Sequence, residues 1–302
     1  MDSNIEHLGE NFESRTDLSA LQASVAAIKA EIGKIIIGQK QFLDLLIAAV
    51  LADGHVLIEG VPGIAKTLTA KLLARTISTD FNRIQFTPDL MPSDVLGTSI
   101  YNFKSSEFEF KKGPIFSNLV LIDEINRAPA KTQAALFEVM EERQITIEGH
   151  EYKMTPPFLV LATQNPIEQE GTYRLPEAQL DRFLFKIEVT YPSLEEEVQI
   201  IEGFHKRKNQ HEIDSVQAVL SPNALAQYRE QVRAIHVEKK LMEYIAQLVH
   251  TTRSHQDLYL GASPRASLAI LMTAKAFAAR QGRDFVTPED VAQVVKPTMR
   301  HR

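Results

Sequence analysis

Five short runs of apolar residues constrain the fold of this chain more than any other feature of its sequence. Each run is continuous and rich in β-branched residues, which is typical of strands buried on both faces. The runs are HVLIE from His55, RIQFT from Arg83, NLVLID from Asn118, FLVLAT from Phe158 and FKIEVT from Phe185. Helical segments lie between them, including AKTQAALFEVMEER from about Ala130. Strands that alternate with helices predict an α/β fold with a parallel sheet covered on both faces.

Two stretches interrupt this alternation, and the pattern changes after Tyr191. The segments TSIYNFKSSEFEFKKG and QITIEGHEYKM each contain two short strand patterns around polar turn residues, so they predict β-hairpins. Later segments have helical spacing and begin near Leu194, Pro222, Lys239, Ser263 and Thr287. We therefore expect a mobile N-terminal segment over residues 1–16, an α/β core over 17–191 and an all-helical domain over 192–302.

Composition limits the class of protein and its partners. The 302 residues carry a net charge of -6 with a pI near 5.9, which argues against non-specific binding to nucleic acid or anionic lipid. The chain has no cysteine, so disulfides, thiolate metal sites and cysteine nucleophiles are excluded. No apolar run approaches the roughly 20 residues that a membrane-spanning helix needs, and the polar N-terminus lacks the features of a secretory signal. We expect a cytoplasmic protein without membrane insertion or a nucleic-acid partner.

The octet GVPGIAKT, from Gly60 to Thr67, predicts a phosphate-binding loop between the first strand and a helix. In such a loop, backbone N–H groups and the helix N-terminus face the anion, Lys66 reaches the β- and γ-phosphates, and the Thr67 hydroxyl binds Mg²⁺. The predicted nucleotide-binding residues are Gly60, Val61, Pro62, Gly63, Ile64, Ala65, Lys66, Thr67 and Leu68. The alternative is a glycine-rich turn without a ligand.

Ala65 stands where the common phosphate-loop pattern has its second glycine. We expect an alanine to be acceptable there if its φ is negative and its methyl group points away from the phosphates. Gly60 and Gly63 would then supply the tight turn and any positive φ that the loop needs.

Polar residues end two further strands of the predicted sheet. Asp123 and Glu124 follow NLVLI, and Asn165 follows FLVLATQ. Ligands of open parallel sheets bind at the carboxyl ends of the strands. We therefore expect Asp123 to hold hydrated Mg²⁺, Glu124 to accept a proton from an attacking water, and Asn165 to orient that water near the γ-phosphate. The alternative for the two carboxylates is a cap on the next helix.

Together these residues resemble the Walker B and sensor 1 elements of AAA+ ATPases, and longer strings resemble the MoxR family within that class. The strings are GQK, GHVLIEGVPGIAKT, RIQFTPDLMPSD, GPIFSNLVLIDEINRAPAKTQAALFEVMEER and ATQNPIEQEGTYRLPEAQLDRF. The resemblance is dense from about Gly38 to Pro192 and thinner afterwards, and members commonly read A-K-T where this chain has Ala65 to Thr67. It implies the strand order 5-1-4-3-2, two inserted hairpins that face a central pore, and a helical lid domain.

The resemblance also implies roles for two arginines. Arg182 in LDRF would be an arginine finger that reaches the γ-phosphate bound by a neighbouring subunit, and Arg265 in GASPRAS would be the sensor 2 residue, acting within its own subunit or on its neighbour. The alternatives are an ion pair of Arg182 with Asp181 or Glu177 and a helix-capping role for Arg265. We assign no catalytic role to Arg127 or to Arg174, where the family commonly has proline.

The function that the resemblance implies is ATP binding and hydrolysis with Mg²⁺ by a homo-oligomeric ring, a hexamer, that remodels or activates client proteins. The resemblance also implies a role in metal-cofactor insertion and an action on von Willebrand factor A domain proteins. A nucleotide-gated assembly scaffold without turnover is the alternative. A nucleic-acid motor and a small-molecule kinase fit the sequence less well, because it has no basic stripe and a kinase would not need Arg182 or a helical lid.

Overall fold

The computed structural model describes residues 16–104, 106–165, 173–206 and 213–302. Its strands are β1 (Val56–Gly60), β2 (Phe81–Gln85), β3 (Gly97–Asn102), β4 (Glu107–Lys112), β5 (Leu119–Asp123), β6 (Gln144–Ile147), β7 (His150–Lys153), β8 (Leu159–Gln164) and β9 (Phe185–Val189). The α-helices of the first part are α1 (Ser19–Gly33), α2 (Lys40–Leu51), α3 (Lys66–Thr76), α4 (Pro92–Leu96), α5 (Ala130–Glu142) and α6 (Glu177–Leu180). Those of the second part are α7 (Leu194–Lys206), α8 (Pro222–Ala234), α9 (Lys239–Thr252), α10 (Pro264–Arg280) and α11 (Pro288–Met299). The sequence predicts a mobile segment over residues 1–16. Residues 1–15 of this segment lie outside the described residues.

The five predicted strands form one parallel sheet in the order β9-β1-β8-β5-β2. Counted along the chain, this is the order 5-1-4-3-2, so the predicted α/β fold class is confirmed. The two hairpins are also present, as the antiparallel pairs β3-β4 and β6-β7. The second strand begins at Phe81, two residues before the predicted start, because its edge position leaves polar residues exposed and weakens the apolar signal.

Successive residues of the central strands enter two different hydrophobic cores. In β5, Leu119 and Leu121 pack on one side of the sheet, whereas Val120 and Ile122 pack on the other. All four side chains are buried. This two-sided burial is the physical reason for the continuous apolar runs in the sequence.

The helices that follow β9 share the core on the first side of the sheet. Leu225 in α8, Ile270 in α10 and Val291 in α11 belong to the same buried cluster as residues of α1, α2 and β1. The predicted helix starts at Ser221-Pro222 and Thr287-Pro288 are observed, with Ser221 and Thr287 as N-caps and proline at the first helical position. In the described part of the chain, no helix has the length and apolar character required to cross a membrane.

His55, at the start of β1, is a structural residue in the buried interior. Its Nδ1 accepts a hydrogen bond from the Val160 N–H at 2.9 Å, so Nε2 carries the proton and donates to the Met140 carbonyl at 3.0 Å. Burial, with a smaller contribution from Arg143, lowers the pKa of His55 to about 4. The histidine is therefore neutral in the folded protein at neutral pH.

This depressed pKa predicts a loss of stability on acidification. Because the unfolded chain binds a proton at His55 below about pH 6.5 and the folded chain does not, the free energy of unfolding falls as the pH drops from 6.5 towards 4, by about 2 kcal/mol at pH 5 from this residue. Urea unfolding at pH 7 and pH 5 measures the effect. His55→Gln should show a shallower pH dependence than the wild type, while the exposed control His255→Gln should not. Equal slopes in all three proteins would contradict the assignment.

Candidate functional site

The loop from Gly60 to Thr67 connects β1 to α3 at the carboxyl edge of the sheet. Gly63 has a φ of 85°, and Ala65 has φ 58° and ψ 24°. The expectation of a negative φ at Ala65 is therefore wrong. Ala65 is the N-cap of α3, and a left-handed residue at this point turns the chain from the loop into the helix. Left-handed residues also belong to the concave backbone arrangements that bind anions.

An alanine in this conformation carries strain of about 1–2 kcal/mol, and neighbouring contacts hold it in place. The Ala65 carbonyl accepts hydrogen bonds from the N–H of Thr69 at 2.9 Å and from its hydroxyl at 3.0 Å. On the other side of the loop, Gln39 Nε2 donates to the Ile64 carbonyl at 2.9 Å. At Gly60 a Cβ atom would lie 2.7 Å from the Val189 carbonyl oxygen, so this position has no room for a side chain.

Lys66 is the first residue of α3, and its side chain reaches back to the start of the loop. Its ammonium group donates to the Gly60 carbonyl at 2.6 Å. Burial lowers the pKa of Lys66, while the nearby carboxylates of Asp123 and Glu124 oppose that shift. A partly desolvated ammonium group next to a phosphate-loop backbone would gain free energy from a bound anion.

Asp123 is buried at the end of β5, where two residues, Thr163 and Arg83, fix its carboxylate. Its Oδ1 accepts a hydrogen bond from the Thr163 hydroxyl at 3.0 Å, and its Oδ2 accepts one from Arg83 Nε at 2.5 Å. Thr163 lies on β8, and its hydroxyl also accepts the backbone N–H of Glu124 at 3.0 Å. A single threonine therefore positions both acidic residues.

Glu124 follows Asp123 with φ 58° and ψ 52°, a left-handed conformation that is uncommon for a residue with a side chain. Its Oε2 accepts a hydrogen bond from Gln85 Nε2 at 2.9 Å and lies 2.9 Å from Arg127 Nε. The turn directs Glu124 away from the line of the strand, and these two contacts hold its carboxylate at the edge of the sheet. Glu124 is the N-cap residue of the 3₁₀ helix that follows, and its carbonyl accepts a hydrogen bond from the Arg127 N–H at 2.8 Å, but its carboxylate makes no capping hydrogen bond.

One cavity of about 970 Å³ brings most of the predicted nucleotide and magnesium residues together, although Gly60 and Val61 are not among its lining residues. Its polar end is lined by Lys66, Thr67, Asp123, Glu124 and Asn165. Apolar residues also line the cavity, namely Ile35, Ile36, Ile37, Tyr191, Pro192, Ile200, Phe204 and Ile213, together with Glu197 of α7. The site roles of these apolar residues, and of Arg83, Gln85 and Thr163, were not predicted from the sequence. Arg83 and Gln85 lie within the quoted string RIQFTPDLMPSD, Thr163 within FLVLAT and Gln39 within GQK, so these strings could have directed attention to them.

Arg182 and Arg265 lie elsewhere and meet at one carboxylate. Arg265 donates to Glu141 Oε1 at 2.8 Å, and Arg182 Nε lies 3.7 Å from Glu141 Oε2. Neither arginine lines the cavity around the phosphate loop. Asp181, one expected alternative partner of Arg182, instead accepts hydrogen bonds from Arg302 and Ser263.

Comparison with known proteins agrees with this geometry. Residues 55–185 match the family described as ATPase family associated with various cellular activities (AAA), and residues 250–302 match its lid domain. The chain is similar to the uncharacterized protein YeaC of Bacillus subtilis, with 46% identity over 90% of this chain and 84% of that protein. It is also similar to Chaperone MoxR1 of Mycobacterium tuberculosis, with 47% identity over 90% of this chain and 73% of that protein.

A crystal structure from Cytophaga hutchinsonii, provisionally described as an ATPase, superposes with a TM-score of 0.86. The two chains are 44% identical, and the matched region covers 94% of this chain and 88% of the Cytophaga chain. The parallel sheet, phosphate loop and helical lid thus define an AAA+ ATPase. Within that class, the chain belongs to the MoxR family.

The left-handed conformation of Ala65 predicts an unusual response to glycine. Ala65→Gly should leave the free energy of unfolding unchanged or raise it by up to about 1 kcal/mol, because relief of backbone strain offsets the greater entropy of the unfolded chain. The matched control is Ala26→Gly, at an exposed position inside α1, which should cost about 1 kcal/mol. Chemical denaturation measures both variants. Equal destabilisation by the two changes would contradict strain at Ala65.

Proposed function

We propose that this protein binds ATP with Mg²⁺ and hydrolyses it to ADP and phosphate. The observation that carries the proposal is the single cavity in which the phosphate loop, two strand-end carboxylates and Asn165 meet. The polar end of this cavity takes the phosphates, and the apolar end, formed around Ile35–Ile37 and Tyr191, takes the base. Backbone N–H groups of the loop and the Lys66 ammonium group bind the phosphate oxygens.

The residues at the polar end fit a magnesium ion that is bound mainly through the nucleotide. Thr67 and Asp123 supply one hydroxyl and one carboxylate, and Mg²⁺ in nucleotide sites typically takes one or two protein ligands together with phosphate oxygens and water. Among the residues that the structure describes, no group of three or more histidine and acidic side chains could hold a metal unaided. When bound, the ion would neutralise charge that develops on the β- and γ-phosphates.

Glu124 is proposed as the general base. A water molecule attacks the γ-phosphorus, the bond from that phosphorus to the oxygen bridging to ADP breaks, and the water proton passes to the Glu124 carboxylate. Asn165 orients the water without adding negative charge. The contacts of Glu124 with Gln85 and Arg127 hold its carboxylate close to the phosphate loop.

Arg182 and Arg265 are proposed to act on the nucleotide of a neighbouring subunit. Both lie outside the cavity of their own chain and share Glu141, which leaves a net positive charge at a partly exposed surface. An arginine pair is suited to the charge that spreads over the transferring phosphoryl group. Each active site would then contain residues of two subunits, as in a closed ring, and we propose a hexamer.

We further propose that the ring uses ATP turnover to remodel or activate client proteins. The similarity to a protein named Chaperone MoxR1 supports this class of activity. More specifically, we propose that the clients carry von Willebrand factor A domains or receive metal cofactors. This proposal rests on family association rather than on a site in this chain.

Substitution of the general base separates an ATP-driven machine from a nucleotide-gated scaffold. Glu124→Gln should bind ATP with near wild-type affinity but lower turnover by about 10²–10⁴-fold, because the amide cannot accept the water proton. Lys66→Ala should instead lose most of the ATP affinity. Nucleotide binding by fluorescence titration and phosphate release measure the two properties. Wild-type turnover in Glu124→Gln would contradict the assigned role, and full cellular function without turnover would favour the scaffold.

Mixing two inactive variants tests whether Arg182 acts between subunits. Arg182→Ala subunits keep an intact phosphate loop, and Lys66→Ala subunits keep an intact arginine, so some interfaces in mixed rings combine both. The mixture should recover a measurable part of the ATPase rate, whereas each variant alone should not. The recovered ATPase rate should be highest when the two variants are mixed in about equal amounts. Mixed assembly without any recovery would favour a structural role for Arg182.

A further inference from the structure

Helix α7 carries two apolar faces, of which one lines the cavity of the candidate site. Ile200 and Phe204, four residues apart, line the cavity of the candidate site. Leu194, Val198 and Ile201 share another face through their spacing of four and three residues. Their exposed fractions are 74%, 47% and 64%, and none of the described residues of α7 is buried. We call Leu194, Val198 and Ile201 the α7 face.

A second set of exposed apolar residues lies in the chain segment around Arg265. Leu258, Tyr259 and Leu260 are consecutive and 49%, 97% and 53% exposed, and Leu268, on the first turns of α10, is 63% exposed. We call these four residues the lid patch. The same chain segment continues directly to Arg265, and Ser263 within it donates a hydrogen bond to Asp181, next to Arg182, at 2.7 Å.

The two surfaces also differ in charge. The first turn of α7 contains three consecutive glutamates, 195–197, and Glu202 follows, whereas the last turn contains His205 and Lys206. The lid patch lies near Arg182, Arg253 and Arg265, with Asp257 as an acidic residue in the same loop. The acidic start of α7 and the largely basic surroundings of the lid patch are complementary, and charge complementarity fixes the register of a contact.

We propose that the lid patch of one subunit packs on the α7 face of the next subunit. This inference rests on the proposed function, because Arg182 and Arg265 can serve a neighbour's nucleotide only if their surroundings approach the mouth of that neighbour's cavity. The α7 face flanks the cavity, and the lid patch flanks the arginines. Since the two surfaces are different parts of the same chain, the contact is head-to-tail, which is the kind that closes into rings.

The contact also gives α7 a second task. The helix covers the candidate nucleotide site with Ile200 and Phe204 and receives the neighbouring lid on its other face. A shift of α7 with the bound nucleotide would therefore change the position of the adjacent subunit. This is a direct physical route between the nucleotide site and the geometry of the ring.

Site-directed cross-linking tests the contact, because the natural chain has no cysteine. A mixture of Ile201→Cys and Tyr259→Cys subunits, treated with a short bismaleimide in the presence of ATP, should form a covalent dimer. Each single variant alone should stay monomeric under denaturing conditions, and the double variant should form a ladder of higher species. The control mixture pairs Ile201→Cys with Lys239→Cys, an exposed position at the opposite end of α9. It should give no dimer.

A charge placed on the α7 face provides a second readout. Ile201→Asp should raise the protein concentration needed for half-assembly about tenfold or more, while the equally apolar control Ile100→Asp, on the β3–β4 hairpin, should not. Light scattering measures assembly, and ATP binding to the monomer should be unchanged in both variants.

Assembled, active rings that yield no dimer from the Ile201→Cys and Tyr259→Cys mixture would overturn this contact and leave the ATPase proposal intact. Cross-linked rings that bind no ATP would overturn the ATPase proposal instead. A dimer from Ile201→Cys alone would show a symmetric contact and also overturn the inference.

Discussion

The candidate site depends on the parallel, in-register pairing of the central strands, because that pairing brings residues distant in sequence to one edge. Gln85 in β2 is level with Asp123 in β5, and Ile122 is level with Ala162 in β8. Asp123 and Thr163 therefore stand side by side, and the hydroxyl of Thr163 can contact both acidic residues. A register shift of one residue would turn these side chains into the apolar cores on either side of the sheet.

Around this edge the backbone departs from its preferred conformations at several points. Gln39, Ala65 and Glu124 all have φ between 53° and 58°, although none is glycine. Each belongs to or adjoins the phosphate loop or the strand-end carboxylates, where strained conformations can serve function. Other non-glycine residues with positive φ, namely Asp53, Ser78, Ser106, Arg143 and Glu148, lie in turns or bends elsewhere. Buried β-strands and helices on both sides supply the stability that offsets this local strain. The positions of the loop and of the two carboxylates are thus imposed by the fold as a whole.

The sequence predicts the fold well because the fold depends on patterns that a sequence contains. The continuous apolar run of β5 and the proline-marked starts of α8 and α11 are local signals, and the structure has these elements where they were expected. The resemblance to the MoxR family supplied the strand order, which apolar spacing alone does not determine. The conformation of Ala65 could not be predicted in this way, because the handedness of one loop residue depends on tertiary contacts such as that of Gln39 with Ile64.

The same limit applies to the contacts that complete the site. Glu141 is an unremarkable acidic residue near the end of a helix, yet in the folded protein it joins Arg182 and Arg265 at one surface. That surface lies outside the cavity of its own chain, and in the proposed function a second subunit contributes it to each active site. The most direct test is the ATPase rate per subunit over a range of protein concentrations that spans assembly. We predict that the rate rises in parallel with the assembled fraction; a rate per subunit that stays constant from monomer to ring would contradict an active site shared between subunits.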